Sequence, residues 1–182
     1  MRKIIILEAD NMELRSKVGE SLAEKLGFAC YDKNLVDITT EKTGIDKELI
    51  EKYDEHTYEN QPLFSKKPHY VFMASSDNLS MKSEEYIFSM IAKTIMDVKE
   101  EGDCVILGHA ASYTQKNFPG VIKLKIVRND DSLNHTYEKY YNYYSGLSWR
   151  YNDCFDAIIN VSGMSTEQAV EHIETFCEEV WK

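Results

Sequence analysis

Short apolar runs alternate along the chain with segments in which apolar residues recur at helical spacing. Five of the runs are almost continuously apolar, which is typical of strands buried on both faces of a parallel sheet. They cover residues 3–7, 28–31, 104–107, 121–127 and 157–161. Strands that alternate with helices favour right-handed crossovers and helices on both sides of the sheet. The pattern therefore predicts a three-layer, doubly wound α/β fold around a five-stranded parallel sheet.

The predicted helices are defined by apolar stripes and by signals at their ends. They cover about residues 14–26, 32–42, 46–53, 83–101, 132–144 and 165–180. The last helix has the clearest start, because Ser165 and Gln168 fit a capping box. Residues 55–80 contain two of the three prolines and little periodicity, so we interpret them as a surface excursion. A chain of 182 residues is most simply one domain that spans residues 1–182.

Charge and cysteine content narrow the class of partner. Acidic residues outnumber basic residues 31 to 21, and the net charge of -10 opposes binding to nucleic acids and to anionic membranes. No apolar run is long enough for a membrane span. The four cysteines are widely spread without C-x-x-C spacing, which favours reduced, buried thiols and a cytoplasmic protein.

Ligands of doubly wound sheets bind beyond the carboxyl ends of the strands. That rule places residues 8–17, 31–32, 108–109 and 128–129 around one crevice. The first of these segments joins a strand to a helix, and it contains no glycine. The histidines have no paired spacing with cysteines or carboxylates, so the sequence predicts no metal set, and no catalytic residue can be assigned.

Several segments, in order along nearly the whole chain, resemble the cytidylate-kinase-like family, a branch of the P-loop nucleoside monophosphate kinases. They are residues 19–27, 31–35, 104–108, 140–146 and 153–162. The resemblance implies a P-loop NTPase fold of the nucleoside monophosphate kinase type. It also implies phosphoryl transfer from ATP to a nucleoside monophosphate with the help of magnesium, if the chain is active.

The sequence departs from the resembled family where phosphates would bind. Met12, Glu13 and Leu14 stand in place of a glycine-rich loop, although glycine is what allows backbone amides to surround a phosphate. Residue 109 is a histidine where the family usually has an arginine, and no arginine occurs between Arg128 and Arg150, where a lid would carry them. We therefore expect weakened or lost catalysis.

Seven residues are candidates for contacts with a nucleotide. The phosphate-binding candidates are Arg15, Ser16, Lys17, His109 and Arg128, and the nucleoside-binding candidates are Tyr31 and Asp32. Four of the seven have a simpler alternative. Arg15 and Lys17 are also explained as solvated charges on a helix surface, and His109 as a structural histidine. Asp32 is equally suited to be the N-cap of the following helix.

The segment Tyr137–Tyr144 is unusually rich in tyrosine. Four of its tyrosines share one helical face, which favours either a packed aromatic stripe or a stacking surface for a base, a protein partner or a second copy of the chain. Three functions thus stay open. They are an active kinase with unconventional phosphate ligands, a degenerate kinase that binds a nucleotide or another small molecule, and a protein-interaction module.

Overall fold

The structure is a computed structural model that describes residues 2–56, 83–129, 136–151 and 153–182. Its five strands form one sheet in the order β2-β3-β1-β4-β5, and all pairs are parallel. The strands are β1 (Ile4–Ala9), β2 (Ala29–Tyr31), β3 (Cys104–Leu107), β4 (Val121–Val127) and β5 (Ala157–Asn160). Each lies within two residues of its predicted bounds, and the doubly wound α/β fold is confirmed.

Seven helices occur in the described ranges. They are α1 (Met12–Leu26), α2 (Asn34–Thr43), α3 (Lys47–Tyr53), α4 (Glu84–Val98), α5 (Ala111–Thr114), α6 (Thr136–Ser145) and α7 (Thr166–Val180). The capping box of Ser165 and Gln168 is confirmed at the start of α7. The short helix α5 was not predicted. Helix α4 ends at Val98, earlier than the predicted end near Glu101. No helix in these ranges is both long and apolar enough to cross a bilayer.

The central strand β1 divides the core into two layers. Ile5 and Leu7 pack with α1 and α7 on one face of the sheet, whereas Ile4 and Ile6 pack with α2, α3 and α4 on the other. This alternation is the period-two arrangement of a strand that is buried on both faces. The three layers hold the carboxyl ends of β1, β2 and β3 side by side, and the polar residues described below lie at this edge.

The connection between β1 and α1 is shorter than predicted, because the sequence pattern ends the strand at residue 7 and begins the helix at about residue 14. Strand β1 ends at Ala9 and α1 begins at Met12, so only Asp10 and Asn11 lie between them. The side chain of Asn11 accepts a hydrogen bond from the backbone N–H of Leu14 at 2.9 Å and caps the helix. The prediction of a long turn was therefore wrong, because Asn11 starts the helix early.

A third core cluster is aromatic. It is formed by Phe88, Tyr137, Tyr140, Tyr141, Tyr144 and Trp149. The rings of Phe88 and Tyr144 stack with centroids 4.3 Å apart, and Tyr137 meets Trp149 edge-on at 5.0 Å. The four tyrosines are fully buried, which confirms the packed stripe. These four rings pack against one another in the core, whereas Tyr143 is only partly buried, so a partner at Tyr137–Tyr144 stays a prediction.

The predicted surface excursion at about residues 55–80 lies almost entirely outside the described residues. Only Glu55 and His56 at its start are described. Glu55 is fully buried, so the predicted boundary is wrong at this end. The chain enters the interior after α3, where Glu55 pairs with the buried Arg15.

Candidate functional site

A buried ion pair between Arg15 and Glu55 lies at the centre of the crevice. Arg15 belongs to the first turn of α1, its side chain is 0% exposed, and its guanidinium contacts the Glu55 carboxylate. Asp32, which follows β2, adds a second carboxylate at 3.4 Å. Burial alone would lower the pKa of Arg15, but Glu55, Tyr137 and Asp32 outweigh burial and raise it. Arg15 is thus a permanent cation that is neutralised from within the protein.

His109 connects this ion pair to the end of β3. Its backbone N–H donates to Oε2 of Glu55 at 2.5 Å, and its ring Nδ1 lies 2.9 Å from the carbonyl oxygen of Leu107. Its Nε2 lies 2.9 Å from Oδ1 of Asp54. Burial would lower the pKa of His109, but Glu55 and Asp54 raise it to about 10. In the absence of a bound metal ion, the imidazole of His109 is therefore protonated at neutral pH.

Three consecutive residues in the left-handed region form the turn after β3. The φ angles of Gly108, His109 and Ala110 are 69°, 58° and 52°. This conformation is unfavourable for histidine and alanine, and such strain is concentrated at functional sites. A Cβ atom at Gly108 would overlap Arg15 and Glu55, so this position requires glycine for space as well as for conformation. The turn points the N–H of His109 at an anion, and the anion bound there is Glu55.

Asp54 bridges two histidines at the rim of the cluster. Its Oδ2 lies 2.6 Å from Nδ1 of His56, while its Oδ1 faces His109. Burial acts to raise the pKa of Asp54, but the two imidazoles outweigh it and hold the pKa well below its usual range. Asp54, His56 and His109 are close enough to share a metal ion, as are Asp32, Glu55 and His109. The spacing of these residues in the sequence predicts no metal site. Their proximity in the structure makes that prediction testable by metal binding.

Glu8 is the last ionisable group of the crevice. It is fully buried near the end of β1, and its Oε1 accepts a hydrogen bond from the backbone N–H of Ser112 at 2.8 Å. Burial raises the pKa of Glu8 to about 7, and the Ser112 hydrogen bonds only partly oppose that rise. Glu8 therefore titrates near neutral pH, unlike a solvated glutamate.

The structure brings together four of the seven predicted site residues. They are Arg15, Ser16, Asp32 and His109. The Ser16 hydroxyl donates to Oδ2 of Asp32 at 2.6 Å. Asp32 is not an N-cap, because Lys33 takes that position in α2 without a side-chain cap, so the capping alternative was wrong. The alternative that Arg15 is a solvated surface charge was also wrong, whereas the structural alternative for His109 agrees with its burial.

The other three predicted residues lie outside the cluster. Lys17 is 64% exposed and pairs with Glu13 at 2.7 Å, so its alternative as a helix-surface charge is confirmed. Tyr31 packs at the edge of the core beneath α2, and Arg128 follows the end of β4. In the described ranges, no hydrogen bond or ion pair joins Tyr31 or Arg128 to Arg15.

Sequence reasoning missed Asp54, Glu55 and His56. These residues follow α3 directly, and together they supply two buried carboxylates and one of the bridged histidines. Their succession of three ionisable side chains at a helix end was the available signal. This signal was missed because the polar composition of the following segment favoured a surface excursion.

The fold is a doubly wound α/β sheet with a polar crevice beyond the carboxyl ends of its strands. The sequence profile of the cytidylate kinase-like family matches residues 15–133, which is more than half of the chain. The chain therefore belongs to the cytidylate kinase-like family. The profile match begins at Arg15, inside the first turn of α1.

Two solved structures are similar to the chain over almost its full length. One is an uncharacterized protein from Eubacterium ventriosum, with a TM-score of 0.65, 16% identity, and coverage of 98% of this chain and 99% of that one. The other is a gluconokinase from Sinorhizobium meliloti, with a TM-score of 0.49, 12% identity, and coverage of 99% and 96%. The Eubacterium structure supports the fold alone. No curated protein sequence matches the chain.

Replacing Arg15 by methionine is expected to lower the free energy of unfolding by about 3–5 kcal/mol, because it leaves Glu55 and Asp32 buried without their cation. Chemical denaturation measures the loss. The matched control is Lys17→Met on the same helix, where the partner is exposed and stability should hardly change. Adding Glu55→Gln to Arg15→Met should restore part of the loss. A stability change below about 1 kcal/mol for Arg15→Met would contradict the buried ion pair.

Replacing Glu8 by glutamine is expected to flatten the pH profile of stability between pH 4.5 and 7. The folded-state pKa of Glu8 is raised from 4.5 to about 7, so its contribution is fully present below pH 4.5 and is lost as pH rises through 7. Relative to Glu8→Gln, the native chain should therefore gain about 2–3 kcal/mol on acidification across this window. Denaturation curves at several pH values measure it, and Glu20→Gln on α1 serves as an exposed control. A slope equal in Glu8→Gln and native protein would refute the assignment.

Proposed function

We propose that this chain is a member of the cytidylate kinase-like family that does not transfer phosphoryl groups and instead binds a small molecule on the same fold. The observation that carries the proposal is the neutralised Arg15. The cation at the first β–α junction is buried against Glu55 and Asp32 and faces no open space.

Phosphoryl transfer depends on cations and backbone amides that neutralise the phosphates in the transition state. A phosphate that approached Arg15 would have to displace Glu55, and removing one partner of a buried pair costs about 3–5 kcal/mol. His109, at the position where the family usually has arginine, is also buried and pairs with Asp54. Lys17 is exposed and pairs with Glu13.

The β1–α1 junction gives a second reason. Its two residues leave no loop around a triphosphate, the side chain of Asn11 accepts from the amide of Leu14, and Glu13 places a carboxylate in the first turn of α1. A carboxylate near these amides opposes phosphate binding. We therefore expect that the chain does not use ATP and magnesium.

A cleft between α2 and α3 supports binding of a small molecule. It has a volume of about 440 Å³ and is lined by both polar and apolar side chains, among them Lys33, Val36, Lys47 and His56. Clefts of this size hold small ligands. The cleft adjoins Asp32, which follows β2 where the resembled family would hold its acceptor nucleoside. A nucleoside-like molecule is thus a reasonable first class of ligand, without a requirement for its phosphates.

Purified chain incubated with ATP, CMP and magnesium is expected to form no CDP or ADP above the enzyme-free background. An active cytidylate kinase in the same assay provides the positive control. The physical reason is that Arg15 is already neutralised. Formation of both diphosphates in equal amounts, abolished by Lys17→Ala, would overturn the proposal.

A panel of nucleosides, nucleotides and other small metabolites is expected to contain a compound that raises the thermal stability of the chain. At 100 times its dissociation constant, a bound ligand adds about 2.7 kcal/mol. Lys33→Trp, which fills the cleft from its exposed wall, should remove the shift, whereas Lys93→Trp on the exposed face of α4 should not. If no compound shifts the melting temperature, or if Lys33→Trp leaves the shift intact, this cleft is not the binding site.

A further inference from the structure

We propose that Asp54, His56 and His109 bind one transition-metal dication of the zinc class, with Asp32 facing the second ring nitrogen of His56. The site lies where the end of α3 meets the turn after β3, beside the Arg15–Glu55 pair. It is separate from the β1–α1 junction and does not depend on the proposed small-molecule function.

The donor atoms already converge. Nε2 of His109 and Nδ1 of His56 both face Asp54, at 2.9 and 2.6 Å from its two carboxylate oxygens. Nε2 of His56 lies 3.6 Å from Oδ1 of Asp32. The ring centroids of the two histidines are 5.9 Å apart. Asp54, His56 and His109 each offer one ligand atom, and these atoms lie within 4.8 Å of one another. A water molecule would complete the four ligands of a tetrahedral site.

The orientation of His109 is that of a metal ligand. Metal-binding histidines usually donate one ring N–H to a backbone carbonyl or a carboxylate, which directs the other nitrogen at the metal. Here Nδ1 lies 2.9 Å from the Leu107 carbonyl oxygen. The lone pair of Nε2 then points at a carboxylate oxygen, and two lone pairs at 2.9 Å repel unless a cation lies between them. That cation is either a proton or a metal ion.

His56 supplies an independent observation. Its Nε2 is buried and, among the residues that the structure describes, has no hydrogen-bond partner. A buried ring nitrogen without a partner is costly in an ordinary structural histidine. The nearest atoms are carboxylate oxygens of Asp32 at 3.6 Å and of Glu55 at 4.0 Å. With a metal ion on Nδ1, Nε2 would carry the proton and face these carboxylates, as the second nitrogen of a metal-binding histidine usually does.

The formal charges of the cluster favour a dication. Asp32, Asp54 and Glu55 together carry three negative charges, and Arg15 returns one positive charge, which leaves minus two when both imidazoles are neutral. A divalent ion balances this sum. Two imidazole nitrogens with carboxylate oxygens suit zinc and its first-row neighbours, whereas magnesium and calcium prefer sites made of oxygens alone.

The test is metal binding by the untagged, full-length chain after removal of metals with a chelator. Isothermal titration with zinc is expected to show one ion per chain, and magnesium should show none. Cobalt should produce the visible absorption of a tetrahedral site without the near-ultraviolet bands of thiolate ligation. His56→Asn, at the less buried rim, should weaken zinc binding at least about tenfold. His172→Asn, on the exposed side of α7, is the matched control and should bind zinc as the native chain does.

Three results would overturn the proposal. They are the absence of saturable zinc binding, equal affinity in His56→Asn and native protein, and cobalt spectra dominated by thiolate bands, which would assign the metal to cysteines. Circular dichroism of His56→Asn serves to check that the variant is folded. Asp54→Asn provides a second variant that keeps the shape of the side chain and removes its charge, and it should also weaken zinc binding. The titration needs neither ATP nor a nucleoside, so its failure would leave the proposed function untouched.

Discussion

The buried ion pair between Arg15 and Glu55 is the interaction on which the crevice depends. A guanidinium without solvent must be compensated completely, because removing one partner leaves an uncompensated charge in the interior. Compensation here joins four separate pieces of the chain, since Glu55 follows α3, Asp32 follows β2 and His109 follows β3. The strained turn at Gly108 leaves the space in which Arg15 and Glu55 approach each other. The same charge that would attract a substrate in an active kinase thus stabilises the fold.

The crevice has therefore acquired an internal anion. The N–H of His109 and the guanidinium of Arg15 both point at Glu55, which meets them as the phosphate of a ligand would meet the corresponding groups of an enzyme. Around this anion lie ionisable groups with displaced pKa values, such as Glu8 and Asp54. Displaced values of this kind are common at functional sites, although structural networks produce them too. The proposed metal site would give part of this network a role in binding an ion.

The sequence was sufficient to predict the sheet, because the five strands and the long helices are encoded by local periodicity. It also placed Arg15, Asp32 and His109 at the correct edge through the rule for strand ends. It could not predict their pairing with Glu55, which lies 40 residues from Arg15 along the chain and at the start of a segment with little periodicity. Helix α5 escaped detection because four residues are too few for a periodic pattern. The early start of α1 was missed although Asn11 is a favoured N-cap residue.

The two-residue connection between β1 and α1 has an engineering consequence. Substituting glycines for Met12 and Leu14 would weaken the first turn of α1 without creating a phosphate-binding loop. The connection of two residues is too short to curve around a triphosphate. Redesign of this protein as a nucleotide-dependent catalyst would require insertion of several residues after Ala9. It would also require the removal of Glu55, so that Arg15 is free to bind a phosphate. Length and charge would have to change together.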